Sequence, residues 1–493
     1  MRDIVLPVNF DLDRHVEQYP PAEYGFPSDE KFLKDAVYWY LSLLSSIPGK
    51  KPDMIDSDGF VPITAANVRD GIKTHKHYRN YLMNTGVLVS NGHFSEGNST
   101  RYKWGADYEH AVKLPRRVEC RYVEKPPKKR RKKKSDEMLV YPYLFNSYAQ
   151  KKLRIDAPLA VEYALQVKDW KMQDESRWDL NRDTGKLKNP DIQCDSAMYN
   201  IARIENHEYG EHIDDNVHRM FSAVVNLRKD LRNFVTYDSK PLVAIDVKNC
   251  QPYMVNLILQ PEFWAENSTL PVSINTLPEN VRSEFAPGSK IMRNITAFLQ
   301  SAKPEYFAKY RAITTAPDAK IYEEIADVAN KLLAGNSAIT RDQAKTAMFY
   351  VLFSSNRGQS DDWLRNTLKE IFTKKMFPAI GEFFRIIKAP YKGSKIKKHH
   401  SRLAVLLQNI ESQIILHICC RRIWEESGGI VPLLTIHDSI VTTAEHMNYV
   451  KEVMREELTR CIGFEPILVP EKWNCNNKNI NKAVWAAICK ECA

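Results

Sequence analysis

Pro241-Leu-Val-Ala-Ile-Asp246-Val-Lys-Asn-Cys-Gln251-Pro-Tyr253 is the stretch on which the fold turns. Leu242 to Ile245 is an unbroken apolar run, the pattern of a buried strand. The run stops at Asp246, and an apolar helix is predicted from about Tyr253 to Leu259. A carboxylate at the end of a central strand projects into a cleft. Many α/β proteins carry such an Asp, so this segment alone names no chemistry.

Two further segments extend the pattern. In Thr340 to Ser355, the residues Arg341, Lys345, Phe349 and Phe353 recur every four positions. On a helix they form one nearly continuous stripe. Two cations followed by two aromatics suit a nucleoside triphosphate, with phosphates on the cations and the base or sugar on the rings. An amphipathic helix with solvated cations and core aromatics has the same pattern. In Val431-Pro-Leu-Leu-Thr-Ile-His437-Asp438-Ser-Ile-Val441, apolar runs flank His-Asp on both sides. This reads as a β-hairpin with His437 and Asp438 at its turn; a buried structural His-Asp pair reads the same way.

In order and spacing these segments resemble motifs A, B and C of the family A DNA polymerases and of the related single-subunit RNA polymerases of phages and mitochondria. Arg341 and Lys345 match Arg-x3-Lys of motif B, with Phe353-Ser354 where that family has Tyr-Gly. His437-Asp438-Ser439 resembles motif C in the form found in the RNA enzymes. Asn409-x3-Gln413 resembles the Asn-x3-Gln of the DNA enzymes, and His218-Arg219-Met220 an Arg-bearing segment before the palm. The resemblance spans roughly residues 215 to 470.

The resemblance implies a site. Asp246 and Asp438 would bridge two Mg2+ ions, with the Val247 carbonyl a further ligand. Lys345 and Arg341 would neutralise the phosphates, and Lys345 would protonate pyrophosphate. Phe349 and Phe353 would meet the nucleotide, and His437 would position the primer terminus. Asn409, Gln413 and Arg219 would touch the nucleic acid. The position five after the motif A Asp gates the sugar; here it is Gln251, bulky enough to crowd a 2′-hydroxyl. The expected function is a DNA polymerase extending a primer on a template with dNTPs, without a proofreading exonuclease. Ser439 leaves a single-subunit RNA polymerase or primase open, and a non-catalytic DNA-binding replication initiator is the reading from another class.

The implied fold is α+β: a right-hand polymerase of palm, fingers and reduced thumb behind an N-terminal winged-helix-like domain. Residues 1–112 would form that domain, with helices at Phe32–Leu44, Pro62–His75 and His77–Thr85. A hairpin would follow around Asn91-Gly92. Its third helix and the turn before it carry His75, Lys76, His77, Arg79 and Asn80, which suit phosphates and base edges. Residues 113–136 read as a basic linker, 137–235 as a thumb-like helical region, and 236–493 as palm and fingers, the fingers at about 280–400.

Composition agrees with a large folded core: 43% hydrophobic residues, 9 Trp, 23 Tyr and 19 Phe. The formal charge is +10, and removing the seven consecutive cations Lys128 to Lys134 leaves +3. That tract, with Lys128, Arg130 and Arg131, is either a phosphate-binding device or a solvated linker. A second basic cluster, Lys388, Lys392, Lys395, Lys397, Lys398 and Arg402, reads as lining a nucleic-acid channel or as a solvated loop. The nine Cys are scattered, and Cys489-Lys-Glu-Cys492 with Cys475 lacks a fourth zinc ligand at convincing spacing. The opening residues do not resemble a secretory signal, and no apolar run approaches the roughly 20 residues of a membrane span. The expectation is an intracellular protein, cytoplasmic or nuclear.

Overall fold

The computed structural model describes residues 1–55, 57–64, 68, 72, 74–92, 100–120, 135–181, 186–318, 320–333, 338–356, 362–390 and 399–491. Helices and antiparallel strands are mixed along the chain, an α+β architecture.

At the N-terminus, β1 (Arg2–Pro7) is followed by α1 (Lys34–Lys50), β2 (Val61–Pro62), α2 (His75–Asn84), β3 (Leu88–Ser90) and β4 (Arg101–Trp104). Strands β2, β4 and β3 form one antiparallel sheet in that order. The Asn91 side chain accepts from the Arg101 amide at 3.1 Å where the β3–β4 hairpin opens. Gly86 takes φ 72 just past α2, a left-handed turn that costs glycine little. Trp39, Tyr40, Tyr78, Tyr81 and Trp104 belong to a core of this part's own. The helix expected at Phe32–Leu44 begins at Lys34 and runs to Lys50, and a shorter helix, Leu12–Gln18, precedes it. Half of the helix expected at Pro62–His75 falls outside the described residues, and its first residue, Pro62, belongs to strand β2 instead.

One expectation is overturned here. Residues 113–118 are not linker: β5 (Lys113–Val118) pairs with β1 along its full length, from Pro7 opposite Lys113 to Arg2 opposite Val118. The partner strand lies about a hundred positions away, so no local pattern announces it. The cations Lys128, Arg130 and Arg131 lie outside the described residues.

Residues 153–237 are largely helical and closely joined to the N-terminal part. Helix α4 (Pro190–Glu205) packs against both α1 and α3 (Ala157–Met172). The Asn200 side chain donates to the Gly49 carbonyl at 2.9 Å, and Ser196 to the Pro48 carbonyl at 3.3 Å. Gly49 is required there, since a Cβ would come within 2.4 Å of the Tyr199 ring.

The sheet that carries the functional residues is built on β10 (Lys240–Val247). The order β11 (Leu434–Ile436), β12 (Ser439–Thr443), β10, β9 (Val235–Tyr237), β6 (Leu153–Ile155) runs across it, all antiparallel. Strand β13 (Leu468–Lys472) lies along the other edge of β10. Because β6 and β9 belong to this sheet, the boundary expected at 235 cuts through it. A small hairpin, β7 (His212–Ile213) with β8 (Met220–Phe221), precedes it. Among the helices of the C-terminal half, α5 (Cys250–Ile258), α6 (Ile321–Leu333), α7 (Arg341–Phe353), α8 (Ser401–Ser412) and α9 (Met447–Ile462) bear on the site.

Helix α8 continues without a break to Glu426, and this rod is long and apolar enough by composition to cross a bilayer, contrary to the sequence expectation. Its most apolar window is 67% buried within the protein. Arg402, Asn409 and Glu411, all about 1% exposed, are buried along it, so it is the core helix of this half.

Candidate active site

Along β10 the burial is continuous from Leu242 to Val247 except at Asp246, which is half-exposed. Apolar side chains hold the strand in the core and leave one carboxylate at the open end. The register of β10 with β12 sets Asp246 opposite Ser439. The Ser439 hydroxyl donates to Asp246 Oδ1 at 2.7 Å. His437 and Asp438 form the two-residue turn joining β11 to β12, so Asp438 is one residue from that cross-strand pair. The Asp438 carboxyl is pushed well above its ordinary acidity range, first by desolvation, then by the like charges of Asp246 and Glu411. The sheet thus brings Asp246 and Asp438 together from distant parts of the chain.

His437 adopts φ 54, a left-handed conformation uncommon for a residue with a side chain. Its ring meets Phe221 edge-on at 6.2 Å. Burial, with the Arg219 and Arg232 guanidinium groups, lowers its pKa to about 4, so it is neutral at pH 7. Its buried Nδ1 has no hydrogen-bond partner among the described residues. His218 and Asn249 also have positive φ, at 54 and 55. Asn249 turns the chain sharply from β10 into α5, and His218 shapes the loop before β8. Lys151, His207, Asp238 and Ser239 share this conformation in turns elsewhere, so positive φ does not by itself mark the carboxylate pair.

The sequence missed a third carboxylate. Glu411 on α8 is about 1% exposed and accepts two parallel bonds from Arg219, Nε to Oε1 and Nη2 to Oε2, each 2.8 Å. It also accepts from Gln251 Nε2 at 2.5 Å and from the Cys250 thiol at 3.8 Å. An acid inside the apolar helix Leu403–Ile418 was the available signal, but its partners lie in two other segments.

Asn409 was expected on the nucleic acid. It is instead buried and spent on the 214–219 loop, because its amide donates to the Asn216 carbonyl at 3.1 Å and its Oδ1 pairs with His218 Nδ1 at 2.8 Å. Ser412 adds a bond to the Val217 carbonyl at 2.9 Å. These α8 residues fix the loop that delivers Arg219 to Glu411. Gln413, at the next turn, is half-buried. Val247 is buried at the end of β10, directly after Asp246.

Helix α7 begins with a capping box, Thr340 to the Gln343 amide and Gln343 back to Thr340. Arg341 is exposed, and Lys345, Phe349 and Phe353 are half-buried along the same stripe. The Phe349 and Phe353 rings meet in a tilted pair, 5.7 Å between centroids and 36° between planes. Arg341 bonds Glu323 on α6 at 2.8 Å and lies 5.4 Å over the Tyr322 ring. Burial raises the Tyr322 hydroxyl, with Arg341 opposing and the Asp438 charge adding to the rise.

Lys388 and Arg402 do not line a channel. Lys388 is buried, donates to the Val351 and Ser354 carbonyls, and so closes the C-terminus of α7. Arg402 is buried against Glu284 at 3.2 Å and the carbonyls of Ile387 and Ala389. Their cationic heads satisfy backbone acceptors and a carboxylate that the core would otherwise leave unpaired. Lys392, Lys395, Lys397 and Lys398 lie outside the described residues. Among the described residues no three His, Cys, Asp or Glu side chains form a ready-made metal cluster.

No family model matches this chain, and no curated protein does. Among solved structures, it is similar to the POL domain of Pol1 from M. smegmatis, in complex with DNA primer-template and dNTP. The two are 10% identical over 66% of this chain and 69% of that one, with a TM-score of 0.30. A likeness so distant assigns neither fold nor function, which rest on the residues themselves.

Proposed function

We propose that this chain is a template-directed nucleotidyltransferase, a DNA polymerase that extends a primer with dNTPs. The observation that carries the reading is the meeting of Asp246 and Asp438 at the open end of one sheet. Oxygen donors of this kind suit Mg2+, which takes few protein carboxylates and completes its shell with water and phosphate. The fit is supported by Asp438, raised first by desolvation and then by the like charges of Asp246 and Glu411, a repulsion that divalent cations relieve. Asp246, Asp438 and the Val247 carbonyl would hold two ions. When bound, they supply activation of the primer 3′-hydroxyl and charge stabilisation at the leaving pyrophosphate.

The chain's own groups do the rest. Arg341 and Lys345 receive the triphosphate, and Lys345 protonates pyrophosphate. Phe349 and Phe353 offer an aromatic surface to the nucleoside. Neutral His437 orients the primer end. Gln251, in the first turn of α5 behind Asp246, crowds a 2′-hydroxyl. In the same reading Gln413 and the cations Lys128, Arg130, Arg131, Lys395, Lys397 and Lys398 serve the DNA, whereas Arg219, expected there too, is held on Glu411. The N-terminal part contacts DNA in winged-helix fashion through α2.

The test is primer extension by the full chain on a primed DNA template with Mg2+, given dNTPs or rNTPs. Extension with dNTPs, lost at least about a thousandfold in Asp438→Asn, is the expected result. A wild-type chain inert with both nucleotide sets would leave a non-catalytic DNA-binding initiator. Strong preference for rNTPs would make it a primase or RNA polymerase.

A further inference from the structure

The polymerase reading leaves one buried group unused. Glu411 lies on α8, away from the strands that carry the two aspartates, yet it is the point on which Arg219, Gln251 and Cys250 all converge. A carboxylate only accepts hydrogen bonds. It therefore decides which end of the Gln251 amide faces it. The Nε2 group must turn to Glu411, at 2.5 Å, and Oε1 must point the other way. Gln251 is 8% exposed, and its Oε1 has no partner in this buried position. A glutamine otherwise loses rotamer freedom only at a cost; here a charge-assisted bond holds it. Glu411 is itself locked, by the two-pronged Arg219 bond and by the loop that Asn409 and Ser412 secure.

We infer that Glu411 is a positioning residue that clamps Gln251 behind Asp246, and that this clamp, rather than the bulk of Gln251 alone, sets the choice between deoxyribo- and ribonucleoside triphosphates. The inference rests on the polymerase reading and deepens it. A free amide of the same size swings aside when a 2′-hydroxyl enters. A clamped one does not, so the penalty falls on the ribonucleotide alone. No bond to the nucleotide is made or broken by Glu411, which acts only through Gln251.

The experiment separates clamp from bulk with isosteric changes. Single-nucleotide insertion is measured with the full chain for matched dNTP and rNTP, in wild type, Gln251→Glu, Glu411→Gln and the double swap. Gln251→Glu keeps the length but sets two acceptors against each other. Discrimination, the ratio of kcat/KM for dNTP to rNTP, is expected to fall about tenfold or more, chiefly through a lower KM for rNTP. Glu411→Gln loses the charge and one of the two oxygens that Arg219 grips, so the clamp loosens and discrimination is expected to fall part of the way. The double swap restores the bond with donor and acceptor exchanged, and most of the ratio is expected to return. Thermal unfolding checks that each variant is folded. Unchanged discrimination in Gln251→Glu overturns the clamp, and so does a double swap that shows no recovery. A wild-type chain that inserts neither nucleotide overturns the polymerase reading itself, a result distinct from either.

Discussion

Ser439 stands directly opposite Asp246 across β12 and β10, and its hydroxyl occupies one oxygen of that carboxylate at 2.7 Å. The bond restrains that carboxylate beside the turn that holds Asp438. Ser439→Ala should cost about 1 kcal/mol of stability and lower nucleotide insertion up to about tenfold, since the carboxylate keeps its charge but loses a restraint. Chemical denaturation and steady-state insertion kinetics read the two effects.

Asp438→Asn should separate stability from activity. Burial and Asp246 raise the Asp438 carboxyl above its ordinary 3.8. A folded value above the unfolded one means that its stabilising contribution is present below pH 3.8 and is lost as pH rises through the folded value. At neutral pH, without divalent metal, the raised carboxyl works against folding. Asp438→Asn should therefore raise Tm while abolishing insertion. Adding Mg2+ should raise the Tm of the wild type and leave the variant little changed.

A second buried acid sits far from the site. Asp195 on α4 is raised to about 6, chiefly by desolvation, with Lys113 on β5 opposing. Its contribution to folding is present below pH 3.8 and lost as pH rises through about 6. Asp195→Asn should stabilise the chain at pH 7.5 by on the order of 1–3 kcal/mol, with a smaller gain at pH 4.5. Lys113 keeps its bonds to the Glu109 and Ala111 carbonyls in either case. Urea unfolding at the two pH values measures the difference.

How much of this was legible in the chain depends on where each residue finds its partners. Asp246 and the His437-Asp438 turn stood out because apolar runs frame them, so burial and the break in burial are both local. The α7 stripe was readable from helical spacing. Glu411 was not, because its meaning comes from Arg219 and Gln251, neither of which is near it in sequence. Lys388 and Arg402 were misread because a run of cations says nothing of depth, and both heads are taken up by core acceptors. Strand β5 was hidden in a basic stretch whose pairing partner is at the other end of the N-terminal part.

The reassignment of Lys388 carries its own test. Burial, and then Lys369, lower its pKa to about 7. A folded value below the ordinary 10.5 means that its contribution is present above pH 10.5 and lost as pH falls through about 7, so the wild type should gain stability from pH 7 to 10. Lys388→Met should flatten that trend. It should also cost about 1–3 kcal/mol, because the Val351 and Ser354 carbonyls lose their donor. DNA affinity, read by fluorescence anisotropy, should be unchanged.

The unbroken rod from Ser401 to Glu426 has a mechanical corollary. Arg402 pins one end in the core, and Asn409, Glu411 and Ser412 engage the 214–219 loop and α5 from successive positions. One residue inserted between 403 and 408 would turn everything downstream by about 100° and withdraw all three contacts at once. Single replacements along this helix are graded faults, whereas a change in its length is an all-or-none one. The interval between Arg402 and Glu411 therefore behaves as a fixed spacer, a gauge against which the site is set.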